Sequence, residues 1–118
     1  MPCKIKNELG VITIDNEVVA RVAGLAAMDC YGIVGMAAKN VKDGIVQLLK
    51  LESLTKGIRL TMGEDSAVID LHIIVEYGTN IAAIGETLAS TVKYRVEEYT
   101  GVQVEKVNIS VEGVRVDG

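Results

Sequence analysis

The chain has one histidine, His72, inside the alternating run "AVIDLHIIVEY", where Asp70 and Glu76 share its strand face. Side chains two apart on a strand stand roughly 7 Å from each other. Asp70 and His72 therefore reach one ion between them, while Glu76 sits too far along to join. Two ligands fall short of the three that catalytic zinc takes and the four of a structural site. The expectation is a solvated sheet face, with His72 paired to an acid or to Arg59. Cys30 offers a thiol that spacing alone allows to meet His72, since such dyads form only in the fold. It stands at the end of an apolar helix, where the negative pole of the dipole opposes a thiolate. An inert thiol is expected there. Cys3 and Cys30 are too few and too separated for a disulfide framework or a metal pair, and fit reduced thiols in the cytosol.

Two glycine-bearing stretches invite chemistry. "GIVG" at 32–35 has the Gly-x-x-Gly form with which KH domains clamp a nucleic-acid backbone. Those loops join two helices and carry a basic residue, whereas here the insert is Ile33-Val34 between Tyr31 and Met36. An RNA-binding module built on this loop is the alternative reading, with salt-sensitive affinity as its mark. "GEDS" at 63–66 supplies two acids without the rest of a calcium loop, and reads as a hairpin tip. No Gly-x-Ser-x-Gly elbow surrounds a serine, and no Walker loop or dinucleotide fingerprint is present. No catalytic, cofactor-binding or metal-binding residue is assigned, and the chain is read as a non-enzyme without a cofactor or small-molecule substrate.

The elements that would carry these residues follow from periodicity. "LGVITI" suits a strand, and Asp15 or Asn16 caps a helix over about 16–29. On that helix Val18, Val22, Leu25 and Ala26 form one stripe, with Val19 and Ala23 beside it. Ala20, Ala23, Gly24 and Ala27 make its surface smooth, so another backbone can approach closely. Such a helix is either sandwiched in the core or packs against a neighbouring subunit, and these four residues are the expected self-association face. "IVGMA" reads as a short strand, and a short helix follows from Asn40. "GIRLTMG" and "AVIDLHIIVEY" alternate across "GEDS", an antiparallel hairpin at 57–77. Ala67, Ile69, Leu71, Ile73, Val75 and Tyr77 share its buried face.

"IVEYGTN" is then a strand-to-helix corner. Gly78 ends the strand, and Thr79 or Asn80 caps a helix over about 80–99 with the stripe Ile81, Ile84, Leu88, Val92, Val96 and Tyr99. A last strand turns Val107, Ile109 and Val111 inward, and Lys106, Asn108, Ser110 and Glu112 outward. The expected fold is α+β, two layers, with a mixed β-sheet of about five strands, two main helices and one short helix. Residues 1–118 form a single domain in this reading.

Composition bounds the function. Of 118 residues, 49% are apolar but only 3% aromatic, so the core is aliphatic. A formal charge of −4 gives no attraction for nucleic acid or a bare anionic membrane. The stretch Val22 to Ala38 has Asp29 as its only charge, yet it falls short of the roughly 20 residues of a membrane span and is broken by three glycines.

Taken in order, "GVITIDNEVVARVAGLAAMDCYGIVGMA", the "VEYGTNI" corner and the "TGVQVEKVNISVEGV" ending resemble the bacterial alkaline shock protein family, from about Gly10 to Val114. The resemblance implies a small cytoplasmic protein of cell-envelope homeostasis and stress response in Gram-positive bacteria, with no known catalytic activity. It also implies self-association as a homo-oligomer, and a membrane-embedded partner that holds the protein at the inner membrane face. It carries over no catalytic residues.

Overall fold

The computed structural model describes residues 3–38, 55–63 and 65–116. In chain order the elements are β1 (Cys3–Asn7), β2 (Gly10–Ile14), α1 (Asn16–Met28), β3 (Ile33–Met36), β4 (Ile58–Met62), β5 (Ala67–Glu76), α2 (Ile81–Thr100) and β6 (Val104–Arg115). This is the expected α+β architecture, with six strands among the described residues. The short helix expected from Asn40 lies outside them.

β5 is the middle of a four-stranded mixed sheet. β4 runs antiparallel to its first half and β3 to its second, while β6 lies parallel along its whole length. A strand has only two edges, so β3 and β4 sit in tandem on one edge of β5 and β6 takes the other. The β4–β5 hairpin closes where Gly63 N donates to Ser66 O at 2.8 Å. The strand β1 is an addition to the elements expected from periodicity. It pairs antiparallel with β2 in a separate ribbon, and Asn7 Oδ1 accepts from Leu9 N and Gly10 N at the turn. Its signal is present in "CKIKN", where Cys3 and Ile5 alternate with Lys4 and Lys6.

Both helices pack on the face of the sheet that carries Ala67, Ile69, Leu71, Ile73 and Val75, all fully buried. Asp15 caps α1 by accepting from Glu17 N at 2.8 Å, and Asn80 caps α2 by accepting from Ala83 N at 3.1 Å. Gly101 ends α2 with φ +78°, its N–H donating to Glu97 O. Gly32, at φ +85°, turns the chain from α1 into β3 where a Cβ would lie 2.5 Å from Ile84 Cδ1. That corner therefore takes glycine for both its backbone angle and its closeness to α2.

Several side chains expected inside lie outside. Val18 and Leu25 of α1 are each about half exposed, and the buried positions are Val19, Ala20, Ala23, Gly24, Ala26 and Ala27. The physical reason is volume. The sheet already fills the space with Met36, Ile69, Leu71 and Ile73, so the helix comes down on its small residues. On α2, Ile84, Leu88, Val92 and Val96 are buried, but Ile81 and Tyr99 at its ends are exposed. Tyr77 has passed the end of β5 and points into solvent, and Val111 is partly exposed because β6 is an edge strand. Ile74, which alternation places on the same face of β5 as His72, is also buried.

Candidate functional site

His72 pairs with an acid, one of the two expected arrangements, and the acid is on β6. Its Nδ1 lies 2.8 Å from Glu112 Oε1. Asp70 is occupied separately, accepting from Asn108 Nδ2 at 3.0 Å. Glu76, at the exposed end of β5, joins neither pair. Among the described residues no three His, Cys, Asp or Glu side chains gather as a metal-ligand group. Leu71 and Ile73 face the helices, so His72 faces away from them. Cys30, at the end of α1, directs its thiol to Ala26 O. The layer of the sheet separates the two, and the Cys30–His72 dyad does not form. Cys3 is buried against Met62 Sδ at 3.2 Å and Asn16 Oδ1 at 3.7 Å. Its burial pushes the thiol above the ordinary value.

"GIVG" is not a loop between helices. Ile33 and Gly35 are in register with Val75 and Ile74 of β5, and Gly32 O accepts from Glu76 N. Its backbone is committed to the sheet. Ala20, Ala23, Gly24 and Ala27, the expected self-association face, are buried within the chain's own core.

What remains open is the other side of α1. Between α1 and α2 runs a groove of about 1240 Å³ on the outside of the helix layer. Val18, Val22 and Leu25 line one wall and Tyr94 and Tyr99 the other. Asp15, Glu17, Arg21, Arg95 and Glu98 surround them with charges of both signs. The helices place these residues by simple spacing: 18, 22 and 25 fall on one face of α1, and 94, 95, 98 and 99 on one face of α2. Arg95 also reaches Asp29 at the end of α1, tying the walls together at one end. Both groups are well exposed, so solvent screens this pair and it adds little to stability. Glu98, hydrogen-bonding and adding its charge one turn along α2, raises the phenol of Tyr94 above its ordinary value. The sequence shows these residues plainly, but by periodicity alone their stripe on α1 reads as core.

The family model of the alkaline shock proteins, described by its "cell envelope-related function", matches residues 4–116. The uncharacterised protein YloU of Bacillus subtilis (strain 168) is 45% identical over 117 residues, covering 98% of each chain. Protein Spy1614 of Streptococcus pyogenes serotype M6 is 30% identical, over 100% of this chain and 98% of its own. A "stress response regulator gls24 homolog" of S. pyogenes serotype M3 is 28% identical over 90% of this chain and 59% of its own. Among solved structures, the copper form of the MamM CTD superposes with a TM-score of 0.50 at 14% identity, covering 87% of each chain. At that identity the likeness concerns the fold alone.

Proposed function

This chain belongs to the alkaline shock protein family, whose function is cell envelope-related, and from that premise we propose that it is a non-enzymatic protein of envelope homeostasis and stress response. It acts by self-association and by contact with a membrane-associated partner on the cytoplasmic side. The observation that carries this reading is the groove between α1 and α2. Val18, Leu25, Tyr94 and Tyr99 are about half exposed or more there while the small side chains beside them are buried, and contiguous apolar surface of this kind marks an interaction site. Its occupant is an amphipathic helix of the partner, laying apolar anchors along Val18, Val22 and Leu25 and meeting Arg21, Arg95 and Glu98 with its flanking charges. Membrane attachment is assigned to the partner, in keeping with the described helices, none of which is long and apolar enough to cross a bilayer. The stress-response name of the gls24 relatives points the same way.

The RNA reading has no observation in its favour: the Gly32–Gly35 backbone is occupied by β5 and the net charge is −4. The test is fractionation of native cells. The wild-type protein should sediment with membranes and cross-link to one membrane protein, and Leu25→Glu should abolish both associations while the fold is retained. Membrane association that Leu25→Glu leaves intact removes the groove from the proposal. Wild-type protein wholly in the soluble fraction, with no membrane protein attached, overturns the partner reading.

A further inference from the structure

β6 is a 12-residue strand at the edge of the sheet. It gives one edge to β5, from Ala67↔Val104 to Glu76↔Arg115. Among the described residues no strand pairs with its other edge. Long open edges are usually blunted by charge, proline or bulges. Here the register shifts fall near the two ends, at Glu105 and Glu112. Between them, Val107 to Val111 read "VNISV", uncharged, free of proline and rich in β-branched residues.

The stretch is also self-complementary. In an antiparallel pair of two copies centred on Ile109, Ile109 faces itself and Val107 faces Val111. Asn108 then faces Ser110, and Lys106 faces Glu112 at both ends of the pair. Each match keeps its face. Val107 and Ile109 are half-buried on the helix side and Val111 is 37% exposed, so a second copy covers what the edge leaves open. On the other side, Glu112 uses Oε1 for His72 and keeps Oε2 for the lysine of the second copy. A shift of one residue would turn every side chain to the wrong face, and a shift of two would separate Lys106 from Glu112.

We propose that two copies of this chain join edge to edge through antiparallel pairing of β6 about Ile109, giving one continuous eight-stranded sheet. This rests on the self-association reading above and gives it a surface. Cross-strand opposite charges hold the register and like charges oppose it. The pairing uses β6 and leaves the α1–α2 groove open for the partner.

Sedimentation of the full chain over a range of concentrations tests it. The wild type should be a dimer. Lys106→Glu puts carboxylates opposite each other at both ends and should raise the dissociation constant about tenfold or more, with the melting temperature of the subunit unchanged. Lys106→Glu combined with Glu112→Lys should restore the dimer. As a second readout, Ile109→Cys in a Cys3→Ala, Cys30→Ala background should form a disulfide-linked dimer on mild oxidation, and Glu105→Cys in the same background should not. A wild type that associates while Lys106→Glu associates equally well, with no Ile109→Cys cross-link, overturns the β6 pairing and leaves self-association standing. A wild type that is monomeric at every concentration overturns both.

Discussion

The two faces of α1 carry apolar residues at helical spacing, and they have opposite fates. Ala20, Ala23 and Ala27 are buried, while Val18 and Leu25, the larger and more hydrophobic side chains, are about half exposed. Hydrophobicity alone would rotate the helix the other way, since burying a Val or Leu side chain contributes roughly 1.5–3 kcal/mol. The opposing surface decides instead. Against a floor of Met36, Ile69, Leu71 and Ile73 a helix bearing small residues descends close, and dispersion attraction then comes from its backbone. A face that fits the sheet is a stability device. A face that is apolar and does not touch the sheet is open to another chain.

The largest effect should come from breaking the inner face. Ala23→Glu buries a charge with no partner among fully buried residues, and should cost about 4 kcal/mol or more. Disappearance of the cooperative thermal transition checks it. A folded Ala23→Glu variant that had only stopped associating would instead make Ala20, Ala23, Gly24 and Ala27 an intermolecular face. The turn after α1 sets how that face meets the sheet. Gly32→Ala adds a Cβ at φ +85°, against Ile84, and should lower stability by about 1–3 kcal/mol, read as a lower denaturation midpoint with an unchanged slope.

The two cysteines repeat the contrast at the ends of α1. Cys3 is 1% exposed beside Asn16, and Cys30 is partly exposed after Met28. Burial holds the Cys3 thiol above its ordinary 9.0. As pH rises past 9.0 the unfolded chain therefore releases this proton while the folded chain keeps it. The folded state then binds more protons than the unfolded, and stability falls as pH rises, by up to about 1.4 kcal/mol per unit from this group. Below 9.0 the group contributes no slope. Urea unfolding at about pH 8 and pH 10, on either side of that value, should show a smaller drop in Cys3→Ala than in the wild type. Equal drops would mean that the thiol is not protected. At neutral pH a thiol reagent should modify Cys30 first.

What was legible in the sequence follows the same division between local and non-local causes. The hairpin, α2 and the "IVEYGTN" corner were readable because alternation, capping residues and Gly78 act within a few positions. The inward stripe of α1 was not, because Val18, Val22, Leu25 and Ala20, Ala23, Ala27 satisfy the same period. Only the volume of residues 36 and 69–73, distant in the chain, distinguishes them. That His72 faces away from the core and pairs follows from alternation. Its partner Glu112 depends on the parallel β5–β6 register and its bulge near Gly113, which no short-range pattern encodes. The residues of the candidate groove are thus all visible in the sequence, and the side of the helix they occupy is not.

The smallest effect on stability should come from the mutation with the largest effect on partnership. Leu25→Glu makes a similar chemical change to Ala23→Glu, two residues along the same helix, but at a side chain 46% exposed. The new carboxylate reaches water without crossing the core, and Arg21 stands one turn before it. An i, i+4 pair of opposite charges contributes about 0.2–0.5 kcal/mol, which offsets part of the apolar packing given up along the groove. The net change should stay within about 0.5 kcal/mol, measured by urea unfolding. If Leu25→Glu destabilises as much as Ala23→Glu, both faces of α1 serve the fold, and the groove is a dent in the core rather than a surface for a partner. If it is neutral, the chain keeps Leu25 exposed at no gain to its own fold, and the gain has to lie in what covers it.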